Sequence, residues 1–169
     1  MDQMEQEALK MREKTVCFTG HRIIEPEKRA SLFAQLIDEI KSLLEAGYRY
    51  FGAGGALGFD TLAAQAVLKL REEYPQIRLI LVLPCKSQTR GWPASDVVLY
   101  QEIMQAADKV VFTSEDYYRG CMFKRNRHLV DNSSVCVCYL TSDKGGTAYT
   151  VHYAEARRLR IINLADKEM

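Results

Sequence analysis

The alternation of short apolar runs with longer segments of helical periodicity constrains the fold of this chain most. The apolar runs, which we predict to be strands, are 16–19, 48–53, 77–83, 109–113, 135–140 and 160–164. Between them, apolar residues recur every three or four positions, and we predict helices over 26–46, 61–73, 96–106, 121–131 and 145–159. Such alternation is typical of an α/β fold in which right-handed crossovers connect parallel strands. We therefore predict a doubly wound, mainly parallel sheet with helices on both faces.

The length and composition of the chain favour one globular domain, and its charge bears on possible partners. Its 169 residues, of which 47% are hydrophobic, are enough to bury a core without disulfide bridges. We predict a polar leader over residues 1–14 and one domain over residues 15–169, because no linker or repeat divides the rest. The formal net charge of +1 gives no global argument for a nucleic-acid or membrane partner.

The cysteines and the N-terminus indicate a reducing compartment. The chain has five cysteines, an odd number with no CxxC pair; they are Cys17, Cys85, Cys121, Cys136 and Cys138. Cys17, Cys136 and Cys138 lie in strand-like runs and are interpreted as small buried hydrophobes rather than a disulfide frame. The first 14 residues are charged throughout and lack the apolar core of a signal peptide. No run approaches the roughly 18 apolar residues of a membrane-spanning helix. We predict a cytoplasmic protein with no membrane partner, no metal site and no resident cofactor.

A glycine-rich stretch over residues 53–60 joins the second predicted strand to the helix that follows it. Gly54, Gly55 and Gly58 would let the backbone turn sharply and let a ligand approach main-chain N–H groups. The start of the helix carries a positive dipole end that suits a phosphate. A tight turn without a ligand is the alternative, because a lone glycine loop is a weak signal. Asp60 would either bond a ribose hydroxyl or cap the helix.

Two more segments with the same character follow the first and fifth predicted strands. In open α/β sheets, ligands bind beyond the carboxyl ends of the strands, so one phosphate-bearing ligand would contact all three segments. The additional candidate residues are Thr19, Gly20, His21 and Arg22 after the first strand, and Gly145, Gly146 and Thr147 after the fifth. The G-x-G-x-x-G and G-x-x-x-x-G-K-[ST] signatures are both absent, which disfavours ordinary NAD-dependent hydride transfer and P-loop ATP hydrolysis.

A basic run and a lone tryptophan complete the candidate residues. Arg125 and Arg127 cannot share one helix face, so at most one of them points inward, where its forked donors would clamp a phosphate. The alternative is a solvated basic run. Asn126 lies between the two arginines. Trp92 would stack on a base or anchor its loop in the core, and the sequence leaves both open.

These pieces resemble the SLOG superfamily, named for the single-stranded-DNA-loading protein DprA and the LOG phosphoribohydrolases. The chain is most similar to the YpsA-like branch of bacterial proteins over residues 16–164. The resemblance rests on the motifs at 19–22, 55–60, 72–75, 123–127 and 146–147, and on the proline at 84 followed by the tryptophan at 92. It implies a single Rossmann-like domain that binds a nucleotide or nucleotide-derived ligand, and a homodimer.

The resemblance implies three functions. The first is a nucleotide-binding protein for an adenine nucleotide or an ADP-ribose-like ligand. The second is a nucleoside 5′-monophosphate phosphoribohydrolase, since LOG enzymes cleave the N-glycosidic bond and their Met-x-x-Arg-Lys motif aligns Arg125 as a catalytic residue. Asn126 replaces the Lys of that motif, however, and Thr150 stands where the LOG pattern has a Glu. The third is a DprA-like single-stranded-DNA module, which the near-neutral net charge disfavours.

Overall fold

The computed structural model describes residues 2–167, which form one parallel sheet covered by helices. The strands are β1 (Thr15–Gly20), β2 (Tyr50–Ala53), β3 (Arg78–Leu83), β4 (Lys109–Phe112), β5 (Val135–Tyr139) and β6 (Arg160–Asn163). Their order across the sheet is β4-β3-β2-β1-β5-β6, and every neighbouring pair is parallel. The predicted doubly wound α/β fold is confirmed.

The helices fill the intervals between the strands. They are α1 (Gln3–Glu13), α2 (Pro26–Glu45), α3 (Phe59–Glu73), α4 (Ala94–Ala106), α5 (Cys121–Asp131) and α6 (Gly146–Ala156), and a short 3-10 helix, Leu164–Lys167, follows β6. The elements from β1 to β6 lie within three residues of their predicted ends. No helix in the described part of the chain is long and apolar enough to cross a bilayer.

Alternate strand residues divide the core into two layers. Phe18, Phe51 and Leu81 share one core with α2, α3 and α4. Cys17 and Cys136 point to the opposite face and pack with α5 and α6. This period of two is the pleat of a sheet that is buried on both sides. All five cysteines are free and buried, which confirms the prediction made for Cys17, Cys136 and Cys138.

Residues 2–14 consist of α1 and its two capping residues, and this segment is attached to the domain. Asp2 and Glu5 make a reciprocal capping box at the start of α1. At its other end, Arg12 Nε donates to the Ser133 carbonyl oxygen at 3.3 Å. The division of the chain at residue 14 stays a prediction, and its outer ends, Met1 and residues 168–169, lie outside the described residues.

The path of the chain determines where a ligand can enter. From β1 to β4 the chain moves across the sheet in one direction, and it then returns to the other side of β1 to add β5 and β6. The connections that leave β1 and β5 therefore run to opposite faces. A crevice opens between them at the carboxyl edge of the sheet, where α/β proteins bind ligands.

Two glycines with positive φ end α2 and begin α3, but their surroundings differ. Gly47 follows α2 with φ of 101°, and an added Cβ there would meet nothing within 4 Å. Gly58 precedes α3 with φ of 79°, and an added Cβ would lie 2.3 Å from the Arg22 carbonyl oxygen. The next N–H, that of Phe59, donates to the His21 carbonyl oxygen at 3.1 Å. Gly58 thus allows the start of α3 to lie against the end of β1.

We predict that Gly58→Ala destabilises the fold much more than Gly47→Ala. The left-handed backbone costs Ala about 1–2 kcal/mol at either site, whereas overpacking against backbone adds roughly 1–3 kcal/mol at position 58 alone. Equilibrium unfolding in urea measures both changes in the free energy of unfolding. Equal losses in the two variants would show that Gly58 is needed only for its φ.

Candidate functional site

A cleft of about 490 Å³ opens at the crevice between β1 and β5. Its walls are the loops after β1, β2, β4 and β5 and the first turns of α5 and α6. Ten of the predicted site residues line it: Thr19, Gly20, His21, Arg22, Asp60, Arg125, Asn126, Gly145, Gly146 and Thr147. The structure therefore brings together four stretches of sequence, and the first and the last are separated by more than 120 residues.

Four predicted residues do not line the cleft, namely Gly54, Gly55, Gly58 and Trp92. Gly55 turns towards the core, where an added Cβ would lie 2.6 Å from Leu83. The Trp92 ring packs edge-on against Tyr100, with 5.5 Å between ring centroids. This packing matches the alternative in which Trp92 anchors its loop in the core. The glycines, like Trp92, serve close packing around the site.

The cleft also contains residues that the sequence analysis did not assign to it: Ala56, Tyr117, Arg119, Gly120, Met122, Phe123 and Lys144. Three of them come from the loop after β4. The carboxyl-edge rule applies to that strand as well, and a loop with two tyrosines and an arginine was the available signal.

Positive charge is concentrated in the cleft. The cations among its lining residues are Arg22, Arg119, Arg125 and Lys144, whereas Asp60 is the single carboxylate among them. In a chain with a formal net charge of +1, this places an attractive potential for anions at one location.

Two helix N-termini open into the cleft without side-chain caps. Gly120 precedes α5 with φ of 98°, and Gly145 precedes α6 with φ of 100°. At the start of α5, the Cys121 N–H donates to the Tyr118 carbonyl oxygen at 3.1 Å. The first turns of both helices lack a side-chain cap, and their positive dipole ends lie at the wall of the cavity. Such termini bind phosphate and carboxylate groups.

Arg125 lies inward and holds the loop after β2. It is only 3% exposed, and its Nη1 donates to the Gly54 carbonyl oxygen. An added Cβ on Gly54 would lie 2.6 Å from that nitrogen, so the glycine makes room for the guanidinium. Burial lowers the pKa of Arg125, and the nearby Asp60 carboxylate opposes the shift. Arg127 points outward and donates to the Tyr149 hydroxyl at 3.3 Å. This agrees with the prediction that at most one of the two arginines points inward.

Arg125 also orients its neighbour. Its Nε donates to Asn126 Oδ1 at 2.7 Å. The amide nitrogen of Asn126 has no hydrogen-bond partner within residues 2–167, and Asn126 lines the cleft. Asn126 therefore adds a donor to the cavity rather than an acceptor.

Asp60 lies in the first turn of α3, but its side chain accepts a hydrogen bond from the loop that precedes the helix. Its Oδ2 accepts from the Ala56 N–H at 3.2 Å, and α3 has no side-chain cap. The arrangement differs from the capping alternative, because the carboxylate supports the loop rather than a helix N–H. Burial raises the pKa of Asp60, and the charge of Arg125 opposes that shift.

His21 is held by the loop after β5. Its Nε2 accepts from the Thr141 N–H at 3.0 Å, so the neutral ring carries its proton on Nδ1. Burial lowers the pKa of His21, which favours this neutral form. Within the described residues, no group of three or more His, Cys, Asp or Glu side chains is placed to hold a metal ion.

Comparison with known proteins gives one family. The model of the YpsA family, described as the YspA SLOG family, matches residues 16–163. The SPbeta prophage-derived protein YoqJ of Bacillus subtilis is 30% identical over 134 residues, covering 72% of this chain and 78% of that protein. YpsA of Bacillus subtilis, a UPF0398 protein, is 24% identical over 155 residues and 86% of each chain.

Solved structures show the same fold at low identity. DNA processing protein A of Helicobacter pylori, whose single-stranded-DNA binding mode has been described, aligns over 92% of this chain at 19% identity with a TM-score of 0.62. The corresponding protein of Streptococcus pneumoniae aligns over 89% at 17% identity with a TM-score of 0.65. The chain spans 66% and 50% of those two proteins.

We predict that Asp60→Asn changes the pH dependence of stability. A carboxyl group with a raised pKa binds its proton more tightly in the folded protein, so wild-type stability falls as pH rises from its ordinary value of 3.8 through its folded value. Asn keeps the oxygen that accepts from Ala56 but does not titrate. The free energy of unfolding of the variant, relative to wild type, should therefore rise with pH across that window in urea titrations. Parallel pH profiles would contradict the raised pKa.

Proposed function

Because this chain belongs to the YpsA family of SLOG proteins, we propose that it binds a nucleotide in the cleft at the carboxyl edge of its sheet. The ligand is an adenine nucleotide or an ADP-ribose-like molecule. The observation that carries the proposal is the convergence of four cationic side chains and two uncapped helix N-termini on one cavity. That combination matches a phosphorylated ligand.

The residues that line the cleft have different proposed roles in binding the ligand. The exposed Lys144 and Arg119 meet the phosphates together with the N–H groups of Gly146 and Thr147. Arg22, which is also exposed, and the amide nitrogen of the half-buried Asn126 add further donors along the wall. Arg125 has its Nε and Nη1 donors bonded within the protein and its Nη2 against the Met122 sulfur at 3.8 Å, so we assign it a role through the loop and the amide that it holds. A homodimer and a cytoplasmic location stay predictions of the sequence.

We predict that AMP or ADP-ribose raises the melting temperature, since a ligand that binds only the folded state stabilises it by mass action. Lys144→Glu should weaken binding of that ligand at least about tenfold, because a charge-assisted hydrogen bond contributes roughly 1.5–3 kcal/mol. Lys86→Glu is the matched control, because Lys86 is equally charged, exposed and outside the cleft. A thermal-shift titration measures each effect.

The same titration tests the alternatives. No response to AMP, ADP-ribose or NAD at millimolar concentration contradicts the proposal. Tight binding of short single-stranded DNA, with a steep loss of affinity in salt, would replace it by a nucleic-acid module. The titration includes single-stranded DNA because the fold is similar to that of DNA processing protein A.

Hydrolysis of a nucleotide N-glycosidic bond is the second candidate function, and Asp60 favours it. Thr150, where the LOG pattern has a Glu, is buried and donates its hydroxyl proton to the Gly146 carbonyl oxygen at 2.9 Å. Asp60 supplies a carboxyl group to the cleft from another element, and its raised pKa suits a general acid that protonates a departing base. Arg125, aligned as the catalytic arginine, would hold this site in place.

We predict that, if this reaction occurs, Asp60→Asn lowers the rate of adenine release from AMP by a factor of about 10² or more. The wild-type rate should fall as pH rises through the pKa of Asp60, because the protonated acid is the active form. Chromatography of released base measures the rate, with Lys86→Glu as the control. An active Asn variant would remove Asp60 from the chemistry, and a lack of release would leave binding alone.

A further inference from the structure

Two aromatic rings stand together on the surface beside the cleft. Phe123 lies in the first turn of α5 and Tyr149 in the first turn of α6, and they are 39% and 43% exposed. Their ring centroids are 4.7 Å apart and their planes meet at 63°. Two large rings held in mutual contact and yet open to solvent are typical of a binding surface rather than of a core.

This ring pair continues the wall of the cleft outward. Phe123 lines the cavity, whereas Tyr149 does not. Arg127, one turn beyond Phe123 on α5, donates to the Tyr149 hydroxyl and fixes the outer ring. One ring of the pair, Phe123, therefore lies at the cavity, and the other, Tyr149, lies outside it and is held by Arg127.

The ring pair is also close to the N-terminus of α6, where we propose that a phosphate binds. Tyr149 is three residues beyond Gly146, which corresponds to about 4.5 Å along the axis of α6. A phosphate at the start of α6 is thus a short distance from the ring pair. A mononucleotide has one base, and with that base in the cavity it would leave the outer ring uncovered.

We infer that the ring pair Phe123–Tyr149 is a binding site for a second ring system of the ligand. The inference rests on the proposed function and specifies its ligand class: a dinucleotide-like molecule whose two rings are joined by a diphosphate bridge. The bridge lies over the start of α6, one ring enters the cavity and the other stacks on the ring pair. A long nucleic-acid strand fits less well, because a formal net charge of +1 leaves little positive charge to follow a backbone beyond the cleft.

The test compares two ligands that share a diphosphate and differ by one ring. Diadenosine diphosphate carries a second adenine where ADP-ribose has only a ribose. Base–aromatic stacking contributes about 1–3 kcal/mol, so wild type should bind diadenosine diphosphate at least about fivefold more tightly than ADP-ribose in calorimetry.

Three variants locate that gain. Tyr149→Ala should abolish it and leave the affinity for ADP-ribose within about twofold, since Tyr149 lies outside the cavity. Tyr149→Phe should keep it, because the ring remains. Tyr118→Ala should change neither affinity; Tyr118 is 47% exposed and belongs neither to the cavity lining nor to the ring pair.

The outcomes separate the ring site from the proposed function. Binding of ADP-ribose with no gain for the second adenine, or a gain that survives Tyr149→Ala, overturns the ring site alone. A gain that appears only with the 5′-phosphorylated dinucleotide pApA assigns the rings to a nucleic-acid strand and overturns the dinucleotide. A lack of binding by AMP and by all of these ligands overturns the proposed function and the ring site together.

Discussion

The site depends on one buried cation, the guanidinium of Arg125. It extends from α5 across the carboxyl edge of the sheet and satisfies the carbonyl of Gly54 in the loop after β2. Its charge faces the buried carboxyl group of Asp60, which in turn accepts from the Ala56 N–H of the same loop. Removal of this side chain would leave the Gly54 carbonyl with only the Gln88 amide, at 3.4 Å, as donor, and would take away the stronger of the two cations that act on Asp60, both of which are costly.

That arrangement separates charges that build the site from charges that are available to a ligand. Arg125 and Asp60 are almost fully buried and each is hydrogen-bonded to the backbone of the loop after β2, so both stabilise the shape of that loop. Lys144 and Arg119 are exposed at the rim and keep their donors for an incoming anion. The helix N-termini of α5 and α6 add fixed dipoles that need no reorganisation on binding. Phe123 and Tyr149 extend the same wall with apolar surface, so that one face offers both charge and rings.

The glycines show why a ligand site was harder to predict than the fold. Gly54, Gly55 and Gly58 were interpreted as places where a ligand approaches the backbone, yet they border the Arg125 guanidinium, Leu83 and the Arg22 carbonyl. Both situations require a residue without Cβ, so the sequence pattern is the same for each. Ten of the fourteen predicted residues still line the cleft, because they follow strands whose carboxyl ends meet at one edge.

The sequence by itself determined the fold and the edge of the sheet on which a cleft would open. Apolar runs of strand length, helical periodicity and short turns are local properties, and the handedness of crossovers leaves few ways to assemble them. Only the tertiary structure decided which arginine turns inward, that Asp60 supports a loop instead of capping its helix, and that the loop after β4 closes the cleft. Those outcomes arise from contacts such as the one between the Arg125 guanidinium and the Gly54 carbonyl, 71 positions apart, which meet only after the sheet has formed.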